Sequence, residues 1–175
     1  MKKLFALLAF AMSTTAFAAN FVSVDVDSVT PASGTKSTAQ YVRAGAELGG
    51  IQYGLQSRTA RLNDGSGLFN SLEVTAGKNL AGFTPFVGVG HDNGPTQYTY
   101  GLVGATTALK AGPGLALLGA KTRVASTEAD RTKQTVLFAT YAIPVAKNVS
   151  LNLNASKSYQ DIKERSVGLG LGFSF

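Results

Sequence analysis

The chain has 175 residues, with 16 Lys and Arg against 10 Asp and Glu and a single His. Cysteine is absent, which excludes a disulfide framework, a thiolate metal site and a lipidated N-terminal Cys. Only 15% of residues are charged, against about 25% in soluble domains, and no run of basic residues marks a nucleic-acid footprint.

The first element is Met1-Lys2-Lys3, a positive n-region. The apolar run Leu4 to Met12 and the small-x-small site Ala16-Phe17-Ala18 follow it. That order predicts a cleaved signal peptide over residues 1–18 and one mature domain over 19–175. The run is shorter than the roughly 20 residues a transmembrane helix requires. No comparable run follows, so the mature chain is either soluble after export or crosses a membrane with strands.

Residues from Phe21 onward alternate apolar and small or polar side chains between evenly spaced turn signals, with no helical period. About ten strands are predicted, at approximately 21–29, 38–48, 51–61, 69–79, 82–91, 96–109, 113–124, 132–144, 149–159 and 166–175. Eight strands remains the alternative if one hairpin is misassigned. Connections alternate between tight ones rich in Gly, Pro or Asn, such as Gly49-Gly50, and longer polar ones, such as Thr30 to Ser37.

One face of these strands carries Val22, Val24, Val26, Val42, Leu55, Leu72, Val74, Val87, Val89, Leu151 and Leu153. The other carries Gly45, Gly54, Gly77, Gly88, Gly90, Gly101, Asn152 and Asn154 with a few charges. Glycine is a poor choice for a strand face that meets water and fits a crowded lumen, although a soluble barrel or sandwich also alternates. Tyr53, Phe83, Tyr141, Phe173 and Phe175 fall near the tight turns, and Tyr98, Tyr100 and Tyr159 near the longer loops. Two such bands are what membrane–water interfaces favour.

The last strand, Ser166-Val167-Gly168-Leu169-Gly170-Leu171-Gly172-Phe173-Ser174-Phe175, alternates strictly and stops on Phe. It resembles the C-terminal assembly signal of bacterial outer-membrane β-barrel proteins, the class of small OmpA/OmpX-like or porin-like barrels. The resemblance implies an all-β fold, a single closed antiparallel up-and-down transmembrane β-barrel in the outer membrane. It further implies contact with outer-membrane lipid and lipopolysaccharide. Leu169, Leu171, Phe173 and Phe175 would then be read by the barrel-assembly machinery. A monomer without nucleic-acid partners is expected.

Folding the hairpins over their centres places Arg58 across from Glu73, and Arg43 near Asp25. The further inward candidates are Asp27, Glu47, Lys121 and Arg123, which would form a balanced ion-pair network within the lumen. The alternative role for the same set is the gate of a narrow porin-like channel. Asp25-x-Asp27 puts two carboxylates on one face but lacks a third ligand, so no metal and no cofactor are expected. His91 opens the turn signal His91-Asp92-Asn93-Gly94-Pro95. With Asp92 and with Ser126 or Thr96 it is the one candidate for a lipid A-modifying hydrolase or acyltransferase, the third reading. The leading expectation is a non-enzymatic barrel with an envelope-structural or surface-interaction role.

Overall fold

The computed structural model describes residues 20–32, 34–65, 67–93, 97–126 and 133–175. The segment 1–18 expected to be a signal peptide lies outside them. Ten strands follow one another: β1 Phe21–Pro31, β2 Ser37–Leu48, β3 Ile51–Leu62, β4 Leu68–Gly77, β5 Phe83–Asn93, β6 Gln97–Ala111, β7 Gly114–Ala125, β8 Lys133–Ala146, β9 Val149–Gln160 and β10 Glu164–Ser174. Each pairs antiparallel with its chain neighbours, and β1 pairs with β10, so the sheet closes on itself as a barrel. The ten-stranded expectation therefore stands, and the eight-stranded alternative falls.

Turn chemistry sets one rim. Between β2 and β3, Gly49 and Gly50 have φ of 62° and 75° and join the Leu48–Ile51 pair. Positive φ at both central positions is the type I′ hairpin, whose twist matches that of the flanking strands. Between β6 and β7, Gly112 has φ 55° ahead of Pro113, whose ring fixes a negative φ. That sign pattern is type II′. At the β4–β5 connection, Asn79 Oδ1 accepts from the Gly82 N–H at 2.9 Å, so the strand stops at Gly77, short of its expected end at 79.

The side chains are distributed inside out. Val24, Val26, Leu55, Val87, Val89, Leu169 and Leu171 are exposed on the outer wall, while Asp25, Asp27, Arg43 and Glu73 are buried within. Cross-strand rows run unbroken over the wall, as in Val26–Leu169–Leu153–Tyr141 and Val24–Leu171–Leu151–Ile143. A continuous apolar exterior is stable against hydrocarbon, and hydrocarbon in turn demands that no strand edge be left unpaired. Closure and greasy exterior are thus one condition.

Among the described residues, two groups of buried apolar side chains pack as clusters inside the barrel, beside singly buried Phe21, Leu115 and Leu117. One is Phe86, Tyr100 and Leu102 with Tyr98 against it; the other is Val29, Ala39 and Ala60 with Tyr41 and Phe69. Tyr98 and Tyr100 are therefore lumenal, not members of an outer aromatic band as the sequence suggests. Gly101 correspondingly faces outward, with open space where a Cβ would stand. Strand β6 is apolar on both faces (Tyr100 and Leu102 in, Val103 out), so hydrophobicity alone does not orient it.

The glycines of β10 have a specific purpose. In the seam register Asp25 lies opposite Gly170 and Asp27 opposite Gly168. A Cβ on Gly170 would collide with the Asp25 carboxylate and with the Val24 carbonyl oxygen; one on Gly168 would collide with the Asp27 carboxylate. The bare positions are the space into which the β1 carboxylates lie. Gly170→Val should accordingly block closure, and Gly101→Ala should fold like wild type. Far-UV circular dichroism after refolding into lipid vesicles reads both; equal refolding yields for the two variants would contradict this account.

Candidate functional site in the lumen

Alternation carries charged side chains inward from β1, β2, β3, β4, β7 and β10, and the barrel's curvature brings them together. Asp25 of β1 is bonded at Oδ2 by the Arg43 guanidinium of β2. It also accepts from Ser23 Oγ at 3.0 Å and, at Oδ1, from Asn154 Nδ2 at 2.9 Å. Arg43 Nε donates to Gln56 Oε1 at 3.0 Å, and its guanidinium lies 4.3 Å from the centre of the Tyr41 ring. The buried carboxylate thus has a partner on each oxygen. Such satisfaction is what a buried ion pair needs to offset its desolvation.

A second centre gathers on Glu73 of β4. Lys121 Nζ reaches Oε1 at 2.5 Å, and Arg123 reaches Oε2 through Nη2 at 2.8 Å and Nε at 3.2 Å, both from β7. Tyr100 OH donates to Oε2 at 3.4 Å; its ring lies 5.2 Å beneath the Arg123 guanidinium, which also donates to Gln134 Oε1 at 3.0 Å. Strands β4 and β7 are not neighbours, so these bonds cross the lumen.

One expected pairing changes, and one inward candidate, Glu47, stays outside the clusters. The β3–β4 register sets Arg58 opposite Ser71 and Glu73 opposite Gln56, two residues from the expected offset. Arg58 instead approaches Glu164 of β10, with Nη2 to Oε2 at 3.7 Å. Glu47 lies exposed near the tight-turn rim, accepting from Gln52 Nε2 at 3.3 Å, and takes no part in the central clusters. Asp27 is buried and bonded by Ser166 Oγ at 3.1 Å, while its Oδ1 has no hydrogen-bond partner. Glu164, Tyr41 and Tyr100 are the lumenal contributors the sequence did not single out. The inward parity of Glu164 with Gly168 and Gly170 was the available signal.

Two small cavities lie side by side in the lumen among the described residues. A cavity of about 80 Å³ lies between Asp27, Tyr41, Arg58, Arg123, Asn154 and Ser166. Another of about 30 Å³ lies by Glu73, Thr75, Phe86 and Thr106. Gln56, Lys121 and Phe138 line both and so stand between them. The first cavity holds the unpartnered Asp27 Oδ1 and is large enough for a few ordered waters, each needing about three polar partners.

The histidine candidate dissolves. His91 lies in β5 rather than in a turn, and is exposed. Its Nδ1 meets Thr99 Oγ1 and its Nε2 meets Asn93 Oδ1, both at 3.0 Å. Asp92, next in the strand, faces the opposite way. Ser126 Oγ is spent on the Thr99 carbonyl at 3.0 Å, and Thr96 lies outside the described residues. These groups are not assembled into an acid–base set.

No protein-family model matches the chain. No curated protein matches it either. Solved structures do resemble it. The translocator domain of the autotransporter NalP from Neisseria meningitidis aligns with a TM-score of 0.56 at 12% identity, over 89% of this chain and 88% of that one. Neisserial surface protein A aligns with a TM-score of 0.45 at 12% identity, over 89% and 97%. The N-terminal β-barrel domain of Pseudomonas aeruginosa OprF aligns at 0.37 and 15% identity, over 90% and 98%. The chain has the fold of a small outer-membrane β-barrel.

Removing one partner of a buried ion cluster leaves the others without a counter-charge, at a cost of about 3–5 kcal/mol. Glu73→Gln should destabilise the refolded barrel by that amount, whereas exposed Glu47→Gln should stay within about 0.5 kcal/mol of wild type. Urea midpoints in vesicles measure both. A Glu73 variant as stable as the Glu47 variant would show that the cluster holds nothing together.

Proposed function

We propose that this protein is an exported, integral outer-membrane barrel without enzymatic activity, with an envelope-structural or surface-interaction role and a lumen closed by side chains. The observation that carries this reading is the Glu73 cluster. Cations from one wall meet a carboxylate from the other, while Phe86, Tyr100 and Leu102 fill the same interior. A solute of any size would have to displace these paired charges. With the long loops outside and the tight turns facing the periplasm, the parts free to meet a partner are the loop rim and the outer wall.

A narrow channel is the second reading, favoured by the charged lining of the 80 Å³ cavity. Planar-bilayer recordings on refolded protein separate the two. Wild type should show no discrete openings. The triple variant Glu73→Ala, Lys121→Ala, Arg123→Ala, which joins the two cavities, should show small ones. Reproducible steps from wild type, abolished or resized by Arg43→Ala or Arg58→Ala, would replace the closed-barrel reading with the channel.

A further inference from the structure

The loop-side boundary of the outer wall carries cations beside Tyr159, which stays on the outer face while Tyr98 and Tyr100 turn inward. Arg165 of β10 and Lys157 of β9 are direct cross-strand partners, both exposed on the outer face. Thr30 lies opposite Arg165 on β1, and Leu137 opposite Lys157 on β8, completing the row. Like charges directly opposite in a sheet repel, and among the described residues neither side chain has a carboxylate partner. The nearby acids are occupied elsewhere. Glu164 points inward to Arg58, and Asp161 Oδ2 accepts from the Lys133 backbone N–H at 2.7 Å.

The pair is built into a recess. The Ala32 N–H donates to the Lys163 carbonyl at 2.8 Å, tying the end of β1 to the β9–β10 connection. Thr30, Pro31, Ala32, Lys157, Lys163 and Arg165 line the adjoining cleft, about 270 Å³ in volume, together with Ser158 and with Glu164, whose carboxylate is paired with Arg58. The Lys157 ammonium is braced 5.1 Å over the Tyr159 ring. Height matters as much as shape. Arg165 stands eight residues beyond Phe173 on the same face, about 27 Å along the strand and roughly 21 Å along the barrel axis at a tilt near 40°. The apolar band of such barrels is about 25 Å tall, so the cations stand where hydrocarbon gives way to headgroups.

We propose that this cleft is a binding site for a phosphate group of lipopolysaccharide, held by Lys157, Lys163 and Arg165 with the acyl chains lying along the Leu169–Leu153 wall below. A phosphate offers three strong acceptor oxygens and nearly two negative charges. It relieves the Lys157–Arg165 repulsion by charge-assisted hydrogen bonds to both. The proposal rests on the loop rim facing outward, as above.

The test titrates detergent-refolded protein with diphosphorylated lipid A. Dephosphorylated lipid A, inorganic phosphate as competitor, and raised salt are the other arms. Wild type should bind, and lose at least about tenfold in affinity without the lipid phosphates, since a charge-assisted hydrogen bond is worth about that factor. Lys157→Gln with Arg165→Gln should produce a similar loss, and salt should weaken wild-type binding. Lys78→Gln with Lys147→Gln, at the opposite rim, should bind as wild type. Equal binding by the Lys157/Arg165 variant, indifference to the lipid phosphates, or an equal loss at the opposite rim overturns the site. Displacement by about 10 mM inorganic phosphate would make it a free-anion site and overturns it as well. Circular dichroism confirms that each variant is folded. Loss of the site with an intact, non-conducting barrel leaves the proposed function standing.

Discussion

A wall that faces hydrocarbon must complete its own hydrogen bonds, and here that requirement is met by one junction, the pairing of the first strand with the last. Everything polar is then confined to the interior, where it needs partners of its own. The seam supplies the first of them. Gly168 and Gly170 leave room for the carboxylates of Asp27 and Asp25, and Arg43, Ser23 and Asn154 close around Asp25. Closure of the backbone and placement of the central charges are one structural event.

The two halves of the lumen divide the work. Strands β9 and β10 offer mostly short polar side chains and glycine, against which longer side chains can lie. The facing wall offers Phe86, Tyr100, Leu102 and Phe138. Aromatic rings also brace the cations from beneath, Tyr41 under Arg43 and Tyr100 under Arg123. The contact adds attraction for a guanidinium that is already bonded to a carboxylate. A polar wall, an aromatic wall and charges bridging them leave little continuous space between the described side chains.

Alternation made the strands and most of their faces readable, because a period of two is a local property of each segment. The rows Val24–Leu171 and Val26–Leu169 needed no more than that. Partnerships across the barrel were not readable. Glu73 meets Lys121 and Arg123 from three strands away, whereas folding a hairpin over its centre reaches only adjacent strands. Even there, a displacement of two residues moved Arg58 from Glu73 to Ser71 without changing any side chain's face. Strand β6 failed for the opposite reason, since apolar residues on both faces erase the signal. His91 misled because β5 runs on to Asn93, two residues beyond where its motif starts.

The buried charge clusters also give the molecule a temperature dependence of its own. Hydration of ions becomes less favourable on warming, so the cost of keeping Asp25, Arg43, Glu73 and their partners away from water falls as temperature rises. Dissolved electrolyte, by contrast, screens buried groups weakly. The centre of this barrel should therefore tighten relative to its exposed strand ends in a warm cell.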